Sequence, residues 1–130
     1  MTRLAKGTFE IMMKPAPEGE GAGRVAVGRM LIDKQYSGDM VGVGQGEMLS
    51  AGDPAAGSAG YVAIEHVTAM LDGRSGSFAL QHSGVMHDGA SELLIKVVPG
   101  SATGELFGLT GTCKIDRVEG QHFYEFEYSL

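Results

Sequence analysis

The residues with chemistry to offer fall close together in one predicted hairpin. Glu65 and His66 lie mid-way along a strand expected over residues 61–70, and Gln81 and His82 along one expected over 77–86. A carboxylate can transfer protons, and an amide beside it can orient a carbonyl or hydroxyl. With the turn of this hairpin, within residues 71–76, centred on Gly73, Glu65 falls opposite Gln81 and His66 opposite Leu80. One face then carries Tyr61, Ala63, Glu65, Gln81 and Ser83, small and polar at its centre. The other carries Val62, Ile64, His66, Met70, Phe78, Leu80 and His82, bulky and apolar. Two packings follow. In a ligand-holding barrel the first face lines the lumen, burial raises the pKa of Glu65, and that carboxyl becomes the candidate general acid or base. Tyr61, Gln81, His82 and Ser83 join it as the candidate ligand-binding set. In a filled barrel the faces reverse, and Glu65 is a solvated surface residue. The plainer reading of the pair is a structural Glu–Gln hydrogen bond between strands.

The other reactive residues carry less. His66 and His82 share a face as diagonal neighbours in this register, too widely spaced for a metal without a third ligand, so no metal site is expected. His87 and Asp88 read as a solvated turn. Cys113 lies mid-strand with no base in sight and reads as a small hydrophobe. The row Gly42-Val43-Gly44-Gln45-Gly46 imitates a dinucleotide fingerprint, but more strand follows it where that motif needs a helix. No phosphate loop, nucleophile elbow or zinc-protease motif occurs, and no cofactor is expected.

The elements that position these residues alternate with period two, the strand period. Phe9, Ile11 and Met13 alternate with Thr8, Glu10 and Met12. Further strands are expected over 25–36, 40–49, 61–70, 77–86, 92–98, 110–117 and 121–129, eight in all. Residues 14–23 read as a loop, 51–58 as a flexible connection, and His87-Asp88-Gly89-Ala90 as a hairpin turn. The one helical turn is expected at 103–107. Strands in unbroken succession suggest a single all-β domain over 1–130, an antiparallel barrel or a sandwich. Gly42, Gly44 and Gly46 on one strand face favour the barrel, because they let that strand bend sharply. In the last strand Tyr124 and Tyr128 share one face, with Phe123, Glu125 and Glu127 on the other.

Composition narrows the partners. Among 130 residues there are 10 Lys and Arg against 16 Asp and Glu, a net charge of −6. That balance argues against nucleic acid and anionic membrane. A single cysteine excludes an internal disulfide. No secretory leader and no long apolar run is visible, so a cytoplasmic protein is expected. Eight methionines suit an adaptable apolar lining.

Several stretches carry a resemblance. Leu71-Asp72-Gly73-Arg74-Ser75-Gly76-Ser77-Phe78-Ala79-Leu80-Gln81-His82-Ser83-Gly84 and Val97-Val98-Pro99-Gly100-Ser101-Ala102-Thr103-Gly104-Glu105-Leu106-Phe107-Gly108-Leu109-Thr110-Gly111 resemble the signature of a bacterial family of unassigned function. So do Lys6-Gly7-Thr8-Phe9-Glu10 and Tyr36-Ser37-Gly38-Asp39-Met40. The resemblance implies an allene-oxide-cyclase-like barrel of eight antiparallel strands with almost no helix. It does not imply the plant cyclase reaction, and no pocket residue carries over by motif. Where the family has Arg after the glutamate of the fourth strand, this chain has His66. In the second stretch, Leu106, Phe107 and Leu109 are placed to plug one end of a barrel.

Three functions are consistent with these readings. The first is binding of a small apolar or amphipathic molecule in the lumen. The second is a cyclase or isomerase using Glu65. The third is a filled barrel acting as an interaction module. A homo-oligomer is expected, with a dimer favoured.

Overall fold

The computed structural model describes residues 2–16, 28–88 and 90–130. Eight strands form a closed barrel in chain order: β1 Thr2–Pro15, β2 Gly28–Gly38, β3 Met40–Asp53, β4 Ser58–Leu71, β5 Arg74–His87, β6 Ala90–Val97, β7 Thr110–Val118 and β8 Gln121–Ser129. Every neighbouring pair is antiparallel, and β8 returns to β1 to close the sheet. Among the described residues, helix is confined to two 3₁₀ turns, Pro54–Ala56 and Gly104–Leu106, the second within the expected helical turn.

Most strands run longer than their sequence pattern suggests. Lys14 and Pro15, expected in a loop, still pair with Leu31 and Met30. The rest of that loop, apart from Ala16, and the expected strand start at residues 25–27 lie outside the described residues. The connection at 51–58 is not a flexible one: Ala51, Gly52 and Asp53 pair with Gly60, Ala59 and Ser58. Asp53 then caps the 3₁₀ turn, its Oδ1 accepting the Ala55 N–H at 3.0 Å. Gly89, in the expected turn after His87, is outside the described residues.

The β4–β5 turn decides which side chains face inward. It is a two-residue turn, Asp72-Gly73, with φ of 48° and 85°, the left-handed pair that a tight hairpin requires. Leu71 therefore pairs with Arg74, and Glu65 with Leu80 rather than Gln81. A one-residue difference in register exchanges the faces of the whole strand. Ala63, Glu65, Val67, Phe78, Leu80 and His82 all point inward and are buried. Val62, Ile64, His66, Gln81 and Ser83 point outward and are exposed.

The core is aromatic at one end. Phe78 stacks on Phe126 at 5.8 Å between ring centres, and Tyr36 meets Tyr124 edge-on at 5.6 Å. The Tyr124 hydroxyl accepts the Met40 N–H at 2.9 Å and donates to the Ser37 carbonyl at 2.9 Å. Tyr128 donates to the Asp72 carboxylate. The β6–β7 connection folds over this end: the Thr103 N–H donates to the Ser77 carbonyl at 2.8 Å, and Leu106 and Leu109 are sealed beneath it. The expected plug is thus built from Leu106 and Leu109. Phe107, expected to join them, is 81% exposed, because the 3₁₀ turn ends there and carries it outward.

Candidate functional site

A charged cluster occupies the middle of the barrel. Lys34 and Tyr36 reach it from β2, Glu65 from β4 and His82 from β5. Lys34, Glu65 and His82 are only 5%, 0% and 4% exposed. Lys34 Nζ donates to Glu65 Oε1 at 3.0 Å, and His82 Nε2 lies 3.0 Å from the same oxygen. The Tyr36 hydroxyl donates to Oε2. The remaining face of the ammonium sits 4.9 Å from the centre of the Phe9 ring, a cation–π contact.

The glycine row makes this meeting possible. β3 lies between β2 and β4, so Lys34 and Glu65 project from strands roughly 10 Å apart. Gly44 stands between them, paired with Lys34 on one side and Val67 on the other. A Cβ at Gly44 would lie 2.1 Å from Glu65 Oε2. The missing side chain is the space that the carboxylate fills.

The cluster holds Glu65 as an anion. Burial pushes its pKa up, as the sequence suggests, but the bonds from His82, Lys34 and Tyr36 and the lysine charge outweigh that and hold it down to about 2. The expected raised pKa is therefore reversed. An ionised carboxylate can only accept, so His82 must carry a proton on Nε2. His82 Nδ1 makes no hydrogen bond with the described residues. Tyr36 keeps its proton to well above the usual phenol range, through burial and the neighbouring carboxylate. Burial pushes the Cys113 thiol up to about 12, which suits a packing residue and not a nucleophile.

Successive rungs of the sheet rise from this cluster toward the end opposite the plug. The rung above Glu65 carries Met30, Met48, Ala63 and His82. The next carries Ser50, Tyr61, Gly84 and Leu93. Here inward-facing side chains are no longer sealed: Met30, Met48, Tyr61 and Met86 are half-buried, and Leu93 is 42% exposed. A Cβ at Gly84 would strike the Tyr61 ring at 2.4 Å, so that glycine seats the tyrosine across the mouth. Burial raises the Tyr61 hydroxyl pKa. A groove of about 720 Å³ lies against β1, β7 and β8, and its lining includes Lys6, Lys114, Ile115, Asp116, Val118 and Phe123.

The structure brings Tyr61, Glu65 and His82 into the lumen and puts Gln81 and Ser83 outside it. His66 and His82 lie on opposite faces, not the shared face of the sequence reading. Sequence reasoning missed Lys34 and Tyr36. Their signal was the phase of β2: Met30, Ile32, Lys34 and Tyr36 alternate together, and a lysine in an apolar phase needs a buried counter-charge.

The chain matches, over residues 5–128, the model of a family described as a protein of unknown function, DUF3224. It belongs to that family. A crystal structure of a DUF3224 protein of unknown function from Shewanella oneidensis MR-1 is 47% identical to it, covering 100% of this chain and 98% of that one, with a TM-score of 0.89. None of the curated proteins compared matches it. Among the described residues of this DUF3224 protein, no helix is long and apolar enough to cross a membrane, and no three ligating side chains gather at one point.

Proposed function

We propose that this DUF3224 protein binds a small amphipathic molecule through the open end of the barrel, in the cytoplasm. The apolar part lies against Met30, Met48, Tyr61 and Met86. A polar group points down toward His82 and the charged cluster. The observation that carries this reading is the contrast in burial: the large inward-facing side chains above the cluster, Met30, Met48, Tyr61 and Met86, are half-buried, while Met40, Leu71 and Phe78 below it are sealed. The cluster itself is electrically balanced, since Lys34 offsets Glu65. It suits a neutral polar group, such as a hydroxyl hydrogen-bonded to His82 Nδ1. Methionine suits a mouth that adapts to the shape of its occupant.

The same geometry ranks binding above cyclase or isomerase chemistry by Glu65. A carboxylate held near pH 2 by three donors has no proton to give at neutral pH. Its role in this reading is a fixed counter-charge.

Native mass spectrometry of protein purified without detergent tests the proposal. The expected result is a retained small molecule in stoichiometric amount, lost in a folded Met48→Glu variant. Retention of the same adduct by that variant, or a wild-type protein that takes up no amphipathic probe, overturns it.

A second reading rests on the outer surface. Val62, Ile64, Val85 and Leu94 are each more than half exposed on β4, β5 and β6. Such an apolar face favours a homo-oligomer, a dimer first. The same spectra give the subunit number, and a monomer at micromolar concentration removes this reading.

A further inference from the structure

The β6–β7 seam differs from every other ladder in the barrel. Among the described residues it holds two pairs only, Ile95 with Cys113 and Lys96 with Thr112. Both strands continue toward the open end, β6 back to Ala90 and β7 on to Val118, without pairing to each other. Extended by the same register, Leu93 would face Ile115 inside the barrel, and Glu92 would face Asp116 outside it. Two carboxylates directly opposite one another disfavour pairing. The sequence thus places a like-charge pair three residues beyond the last pair, Ile95 with Cys113, within the stretch where pairing does not resume.

Burial along one rung agrees. Gly84 and Leu93 are paired on neighbouring strands at the same level. Gly84 is buried, yet Leu93 points inward and is 42% exposed. The Tyr61 ring covers Gly84, whereas Leu93 lies beside the unpaired stretch of β7 with no strand partner on that side.

We infer that the unpaired part of this seam, from Ala90 to Leu94 and from Lys114 to Val118, is a side entrance through which an apolar ligand reaches the mouth of the barrel. This rests on the binding reading above. Leu93 and Ile115 form its apolar jambs, and Glu92 and Asp116 hold its outer edges apart. A ligand passing here slides between two strands without displacing the plug or the charged cluster. The edges supply unpaired backbone groups, which water satisfies while the entrance is empty.

A reversible clasp tests this. In a Cys113→Ala background, Glu92→Cys with Asp116→Cys places two thiols outside the barrel, where they do not touch the ligand site. The probe is N-phenyl-1-naphthylamine, an uncharged fluorophore with one N–H, followed by stopped-flow fluorescence. The oxidised form should associate about tenfold or more slowly than wild type, with the same final amplitude, and reductant should restore the rate. An oxidised form that binds as fast as wild type overturns the entrance and leaves the binding site standing. Failure of wild type to bind any amphipathic probe overturns both. Amide exchange on wild type gives a second measurement, independent of the clasp. Of residues 91–94 and 114–118, the amides that point into the seam, and not those bonded to β5 or β8, should exchange well ahead of amides in the middle of β4 and β8. Equal protection across the four strands overturns the entrance.

Discussion

The two ends of this barrel are lined by the same inward phase of the same strands, yet one is sealed and the other is not. At the sealed end the inward positions carry Met40, Leu71, Phe78, Phe126 and Tyr128, and the β6–β7 connection lays Leu106 and Leu109 over them. At the other end they carry Met30, Met48, Tyr61, Gly84 and Met86, large flexible residues beside a small one. The charged cluster sits between the two. The difference shows that closing a barrel's strands does not close its ends. An end is closed by rigid side chains that fill the taper and by a loop with enough buried apolar residues to stay down.

The largest test of this contrast is at the divide itself. Glu65→Gln leaves the buried Lys34 ammonium without a counter-charge and should cost about 3–5 kcal/mol in urea unfolding. Lys34→Met combined with Glu65→Leu should recover most of that loss, because the two opposite charges leave together. A double variant as unstable as the single one would show that shape and not charge holds the divide.

Acid provides the next test. The pKa of Glu65 is lowered from 4.5 to about 2, so its stabilisation is complete above the upper value and is lost as pH falls toward the lower one. Stability should decline by about 3 kcal/mol across that window, at roughly 1.4 kcal/mol per pKa unit. Glu65→Gln should lack this component of the acid transition, read by fluorescence or circular dichroism against pH.

Smaller effects compare the ends directly. Leu106→Ala opens a cavity under the plug and should cost about 3 kcal/mol. Met48→Ala at the mouth should cost less than about 1 kcal/mol, because its side chain is only half-buried. It should nevertheless weaken probe binding, which Leu106→Ala should leave intact if the variant is folded. Equal stability costs at the two positions would erase the distinction between the ends.

Much of the fold was legible in the chain. The alternation set strand phases, so that Glu65 was grouped with Tyr61 and Ala63, and Tyr124 with Tyr128, as they lie in the barrel, while which face of the β4–β5 hairpin turns inward stayed open. Turn residues set most boundaries, and β8 begins and ends where its pattern does. What failed was the relation between strands. A turn centred on Gly73 and a two-residue turn at Asp72-Gly73 differ by one residue in register. That single step moved Gln81 and Ser83 out of the lumen and put Leu80 and His82 on the face of Glu65. The charged cluster was half legible. Glu65 stood in an apolar phase between Ala63 and Val67, and Lys34 stood likewise between Ile32 and Tyr36. Local patterns do not tell that two such residues belong together, because the link is a glycine on the strand between them.

Every ladder in the barrel but one joins strands that are neighbours in sequence. The exception brings β1 to β8, with Thr2 paired to Ser129 across a separation of 127 residues. Seven hairpin-like steps can therefore zip locally and early, while the last contact waits on the loop-closure entropy of nearly the whole chain. Until it forms, the molecule is an open, curled sheet with two free edges, each able to accept a strand from another copy. Refolding yield should accordingly fall as protein concentration rises, and the slow step should be the arrival of β8 beside β1.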